Sequence, residues 1–176
     1  MTRFAALKTK YNNCWYLSRL EARWKVYFDA LGIEATYELQ GYDLGEAGWY
    51  LPDFYLPHVD MWAEVKPVQF SDTELRKLKA LVVHTQKPAL MLIGAPDRKP
   101  YTAWCFDRHC NGLYSIDFIL SNYRNFYQKE HRFYGSPDTG EIYHVVFDDI
   151  DQAVTAAQSA RFRGTNDDYR INAFPA

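Results

Sequence analysis

Residues 48–56 read GWYLPDFYL and residues 61–68 read MWAEVKPV, and the folding of these two runs decides the architecture around them. Both are short, largely apolar stretches punctuated by Gly or Pro, the pattern expected of strands. On a strand, side chains alternate between faces, so Glu64 and Lys66 share one side while Ala63 and Val65 share the other. A carboxylate and an ammonium on a strand otherwise written for burial are costly unless something compensates them. A metal ion shared with a second carboxylate is one such compensation, and Asp53 on the preceding run is the candidate partner. Pro52 weakens regular pairing just before Asp53, and Pro67 holds Lys66 extended where the strand ends.

Upstream, Leu17, Leu20, Trp24, Phe28 and Leu31 follow the helical i, i+3, i+4 rhythm, and Gly32 supplies a stop. The rhythm predicts an amphipathic helix beginning near Cys14. Glu21 falls at the edge of its apolar arc, an unusual place for a carboxylate, whereas Arg19 and Arg23 point away toward solvent or a phosphate. Residues 33–39 read as the first strand. Downstream, Ser71 and Glu74 have the spacing of a capping box, which predicts a helix through Leu75, Leu78, Leu81 and Val82. Residues 88–94, PALMLIG, form a continuous apolar run with the character of a central buried strand. The order is helix, three strands, helix, strand. This predicts an α/β protein with a central mixed sheet flanked by helices (α-β-β-β-α-β).

Beyond Pro96 the pattern is weaker. Residues 101–106 suit another strand, 116–133 are expected to be helical in part, 135–140 form a turn, 141–147 a strand and 151–162 a helix. Residues 164–176 read as a tail. The expected organisation is therefore a core over residues 1–96 and an α+β C-terminal extension over 97–176, packed on the core and able to contact a substrate.

Composition narrows the class. The chain has 176 residues, 48% of them apolar and 24% charged, which suits a globular protein. A net charge of -2 excludes a broadly basic nucleic-acid coat but not a hydrolase with a local basic patch. Aromatic content is high at 17%, and exposed rings in such a surplus can stack on bases or sugars, although each ring is more readily a core residue. Three cysteines without a framework spacing suit a reducing compartment. With no apolar leader and no run of spanning length, a cytoplasmic protein with no membrane contact is expected.

Pro52-Asp53, ten intervening residues and then Glu64-Val65-Lys66 resemble the PD-(D/E)xK nuclease superfamily. The resemblance spans about residues 16–94 and includes the order of elements, which implies a restriction-endonuclease-like core. Glu21 fits it too, since many members place a glutamate on the first helix beside the metal. The implied function is metal-dependent hydrolysis of phosphodiester bonds, most readily in DNA, in a mobile-element, repair or recombination setting, as an endo- or exonuclease. Mg²⁺ or Mn²⁺ would be held by Asp53, Glu64 and the Val65 carbonyl, with Glu21 reaching it through water or helping to hold a second ion. Lys66 would neutralise charge developing on the phosphate rather than act as a base, because neighbouring carboxylates support its proton. A homodimer is compatible with such a role.

Contacts to nucleic acid are expected from Arg19, Arg76 and Lys79, and from the basic, aromatic stretch 123–132, where Arg124, Lys129 and Arg132 alternate with Tyr123, Phe126 and Tyr127. Plainer readings exist for each feature. Glu64 and Lys66 alone would be a surface charge pair, Glu21 could pair with Lys25 four residues on, and Arg76, Lys77, Lys79 and Lys87 could be a solvated helix face. Cys105, His109 and Cys110 lack a second pair at ligand spacing, so no zinc site is expected. The functional alternative is a nuclease-fold module that binds nucleic acid or a protein partner without cutting.

Overall fold

The computed structural model describes residues 7–118 and 147–162. It opens with a hairpin, β1 (Thr9–Tyr11) and β2 (Cys14–Tyr16), followed by helix α1 (Arg19–Ala30). The predicted helix therefore starts five residues later than its apolar rhythm suggests. Asn12 and Asn13 both adopt positive φ, at 47° and 62°, and turn the chain into a two-residue hairpin before the helix begins. Ser18 then caps α1 by accepting from the Glu21 amide. Leu17, expected in the buried stripe, is exposed, while Trp24, Phe28 and Leu31 are buried as expected.

A short hairpin of β4 (Tyr42–Asp43) and β5 (Trp49–Tyr50) stands between β3 (Thr36–Tyr37) and β6 (Phe54–Leu56). Strand β7 (Met61–Lys66), helix α2 (Asp72–Thr85), β8 (Ala89–Ile93), β9 (Tyr101–Asp107), β10 (Gly112–Phe118) and α3 (Phe147–Ser159) complete the described chain. The run 33–39 contributes only Thr36 and Tyr37 as strand, and 48–56 is split into β5 and β6 around Leu51-Pro52-Asp53. Proline has no amide to donate at that break, and the Asp53 carboxylate turns to the neighbouring strand instead. Both sides of the Ser71–Glu74 capping box form, as the spacing predicts. The end of the segment expected to be helical, residues 116–118, is strand; its remainder, with the turn at 135–140, most of the strand at 141–147 and the tail, lies outside the described residues.

The main sheet has six strands in the order β10-β9-β8-β7-β6-β3. Only β7 and β8 run parallel, joined by the α2 crossover, so the sheet is mixed. The described residues thus form a mixed α/β fold with three α-helices around this sheet. Alternation sorts its faces. Phe54, Leu56, Met61, Ala63, Val65, Leu90, Leu92 and Ala103 pack with α1 and α3 residues such as Trp24, Phe28, Ile150 and Ala157. On the other side Trp62 and Ala89, with Tyr55 and Trp104, pack against Leu78, Leu81 and Val82 of α2. The expected boundary at 96/97 falls between β8 and β9, two neighbouring strands of the same sheet.

Two hydrogen bonds fix α1 relative to the end of β7. The Gly94 amide donates to the Lys66 carbonyl at 2.8 Å, and the Trp24 indole donates to the Gly94 carbonyl at 2.9 Å. Gly94 holds φ at 76°, a conformation that a side chain would strain. The C-terminal end of β7 and the start of α1 are thereby held at one edge of the molecule. No helix among the described residues is long and apolar enough to cross a membrane.

Candidate active site

Antiparallel pairing of β6 with β7 sets Phe54 opposite Ala63, so Asp53 lies beside Glu64 and Val65. The backbone bonds that a continuous strand would make are replaced by carboxylate bonds. The Val65 amide donates to Asp53 Oδ2 at 2.7 Å, and the Asp53 amide donates to Glu64 Oε2 at 3.3 Å. Each carboxylate is locked by the other residue's strand. Lys66 Nζ donates to Glu64 Oε1 at 2.7 Å and lies 3.7 Å from Glu74 Oε1 on the first turn of α2. Asp53, Glu64 and Lys66, which the sequence places together, are together in the fold.

Burial makes this cluster electrostatically tense. The Glu64 side chain is only 4% exposed. Burial pushes the Asp53 carboxyl well above its ordinary range, and the charges of Glu64 and Glu21 push it further, against the Val65 amide and Lys66. Glu64 is also raised, by burial first, with Lys66, the Tyr50 hydroxyl and the Asp53 amide opposing. Burial works against the Lys66 ammonium, but Glu64, Asp53 and Glu74 outweigh it and raise its pKa. Lys66 is therefore a permanent cation near neutral pH, flanked by more carboxylates than it can neutralise.

Tyr50 is the site residue that sequence reasoning missed. Its phenol lies beside Glu64, and burial together with the Glu64 charge holds its proton firmly. Tyr50 occurs within the aromatic run 48–56, and nothing in that run distinguishes a core ring from one whose hydroxyl reaches a carboxylate. Glu74 was read as a helix cap alone, yet its carboxylate both accepts from Ser71 and meets Lys66.

Glu21 is buried, as its place beside the apolar arc implies. Its carboxylate is held by the Leu17 amide at 3.0 Å, the Ser18 hydroxyl at 2.6 Å and the Tyr37 hydroxyl at 2.5 Å. The expected alternative partner, Lys25, instead pairs with Asp29 at 2.6 Å. Glu21 thus belongs to the cap of α1, and it acts on Asp53 through space, as the raised Asp53 carboxyl registers.

The basic residues divide. Arg19 and Arg76 are exposed. Lys79 places its ammonium 3.8 Å from the centre of the Trp104 ring, a cation–π contact on the sheet face. Lys77 is the α2 cation tied to the site's surroundings, donating to the Trp49 carbonyl at 3.0 Å. Arg124, Lys129 and Arg132 lie outside the described residues. Cys105 is buried in β9 and Cys110 exposed in the turn after it, both as free thiols.

Among the described residues no three His, Cys, Asp or Glu side chains converge into a metal-binding group. The donor set present is the buried Glu64 carboxylate, the half-buried Asp53 carboxylate and the Val65 carbonyl. It suits a hard divalent cation of the Mg²⁺ type, which commonly takes one or two carboxylates and fills its remaining positions with water and phosphate oxygens. A dication there would also offset the charge that burial penalises at Asp53 and Glu64. The chain matches no known family model, and it has no significant match to a curated protein or a solved structure.

Proposed function

We propose that this chain is a divalent-metal-dependent nuclease that hydrolyses phosphodiester bonds, with DNA as its substrate. One observation carries the reading: the buried Glu64 carboxylate and the half-buried Asp53 carboxylate are locked side by side by backbone amides, and the Lys66 ammonium lies 2.7 Å from Glu64. Asp53, Glu64 and the Val65 carbonyl would hold Mg²⁺ or Mn²⁺, with Glu21 strengthening the negative field from the start of α1. When bound, such an ion supplies Lewis acidity toward a phosphate oxygen and a water of lowered pKa. The order α1, β3, β6, β7, α2, β8 supports this reading, since it is the order of elements that the resemblance to restriction-endonuclease-like cores implies.

The protein's own groups have separable tasks. The Val65 amide fixes Asp53, and Tyr50 fixes Glu64, so neither carboxylate must reorganise when substrate arrives. Lys66 remains protonated, so it neutralises negative charge that grows on the phosphate as the bond breaks, and it takes no proton. Its competition with substrate is internal: Glu64 and Glu74 hold the ammonium until a phosphate replaces part of that interaction.

The test is incubation of the full chain with plasmid and branched DNA in Mg²⁺, Mn²⁺ or EDTA. Cleavage is expected with either metal, absent in EDTA and lost in Lys66→Ala. Lack of any metal-dependent product, or equal cutting by Lys66→Ala, would remove the enzymatic reading and leave a binding module.

A further inference from the structure

The β4–β5 hairpin has two faces, and the carboxylate site uses only one. Tyr50 turns inward to Glu64. Trp49, the preceding residue on the strand, projects from the opposite face and is 64% exposed. Its indole forgoes the burial that such a large apolar ring would normally gain.

This ring is nevertheless held in place. A Cβ at Gly41 would meet the benzo side of the indole at 2.2 Å, so the ring is packed close against Gly41, an approach that any larger residue there would block. The backbone of Trp49 is anchored as well, through its pairing with Asp43 and through Lys77 on α2. The indole is thus seated against Gly41 and still largely offered to solvent.

The setting points to a particular occupant. Leu51 is also exposed and follows two residues later, continuing the apolar strip toward Pro52 and Asp53. Four residues of chain bound the distance from Trp49 to Asp53 at about 14 Å, the length of roughly four stacked nucleotides. Lys77 touches Trp49, and it lies one helical turn from Glu74, which contacts Lys66. An aromatic ring seated against the backbone with a lysine beside it, leading to a phosphate-directed site, suits a nucleobase better than an aliphatic chain.

We propose that Trp49 is a stacking platform for an unpaired base of the nucleic-acid strand whose phosphate occupies the Asp53–Glu64 site. The proposal rests on the nuclease reading, deepens it by naming a base-contacting residue, and favours strands with unstacked bases over intact duplex.

The experiment measures binding of a fluorescently labelled single-stranded oligonucleotide to the full chain by anisotropy, in Ca²⁺ and in EDTA. A parallel series carries one abasic position moved along the strand. Trp49→Ala is expected to weaken binding about 5- to 100-fold, and Trp49→Phe to retain most of the affinity. At one position the abasic substitution should reproduce the loss in the wild type and add nothing in Trp49→Ala. Unchanged binding by Trp49→Ala, or additive losses at every abasic position, would overturn the stacking role. Failure of the wild type to bind any oligonucleotide would overturn it too. Metal-dependent cleavage separates the two ideas: cutting that ignores Trp49→Ala removes the platform alone, while stacking without any cutting removes the nuclease alone. Circular-dichroism melting of both variants identifies a loss caused by misfolding, and in that case the abasic series on the wild type decides.

Discussion

The two ends of β7 carry the same chemical groups and settle them in opposite ways. Where the strand begins, Asp60 accepts from Lys87 and from the Tyr55 hydroxyl, with the Asp60 side chain 58% exposed. Burial is the largest single influence on Asp60 and pushes it up, but the hydrogen bonds to Lys87 and Tyr55 and the Lys87 charge together outweigh it and lower its pKa. One carboxylate meets one ammonium in water's reach, and the pair is complete. Where the strand ends, Asp53 and Glu64 share Lys66, Glu74 draws on the same ammonium, and the Asp53 and Glu64 carboxyls are both raised. The difference teaches that a carboxylate–lysine contact by itself says nothing about chemistry. Surplus charge combined with burial is what marks the second cluster as a site that needs a ligand.

Activity should break the comparison most sharply. Asp53→Ala, Glu64→Ala and Lys66→Ala should each reduce metal-dependent DNA cleavage by about 100-fold or more. Lys87→Ala, at the other end, should leave the rate within about twofold, as expected of an exposed ion pair. Equal losses at both ends would show that the strand's charges act through folding alone. Next in size is Tyr50→Phe, which removes the hydroxyl beside Glu64 and should weaken apparent metal affinity about 10-fold. Metal titrations of cleavage rate would show this as a curve displaced to higher Mg²⁺ with a recoverable plateau.

Stability without metal should move in opposite directions at the two ends. Asp53→Asn keeps an acceptor for the Val65 amide and removes a buried charge, so it should stabilise the protein in EDTA by about 1 kcal/mol. Asp60→Asn should destabilise it by less than about 1 kcal/mol. Urea unfolding of both variants measures the contrast.

The smallest and most discriminating effect is in the pH dependence. Asp53 and Glu64 hold protons in the fold to a higher pH than in the unfolded chain, whose carboxyls titrate near pH 4. Metal-free stability therefore falls as pH rises from about 4 through their raised folded values. Asp60 behaves in reverse, contributing stability above about pH 4 that is lost as pH falls through its lowered folded value. The advantage of Asp53→Asn should thus vanish below about pH 4, and the deficit of Asp60→Asn should shrink there as well. Urea melts across pH 3–8 in EDTA, a range of about five units, would resolve the two profiles. An advantage of Asp53→Asn that is independent of pH would show that charge is not its cause.

Much of this contrast was legible in sequence, because strand period and capping are local rules. Glu64 and Lys66 share a face by alternation, Ser71 and Glu74 form their box by spacing, and the apolar run before Gly94 became β8. The first helix was drawn too early because Leu17 happens to continue its rhythm. The Asn12-Asn13 pair carried the better signal, since two adjacent residues tolerant of positive φ favour a hairpin turn. Residues 116–118, at the start of the stretch expected to be helical in part, are strand, because Ile116 and Phe118 suit β10 and its partner β9 supplies the register. Tyr50 and the contact between Lys66 and Glu74 were beyond local reading. Both depend on the hairpin and α2 being folded over the same strand end, which is long-range geometry. Glu21 shows the intermediate case, its burial foreseen from the helix wheel while its hydrogen bonds to Leu17, Ser18 and Tyr37 were not.

The most direct measurement is anomalous diffraction from crystals of the full chain soaked in Mn²⁺. The account predicts a single strong peak within about 2.0–2.5 Å of oxygens from both Asp53 and Glu64, and none beside Asp60. A peak at neither carboxylate of that pair, with Lys66 still bound to Glu64 at saturating Mn²⁺, would contradict it.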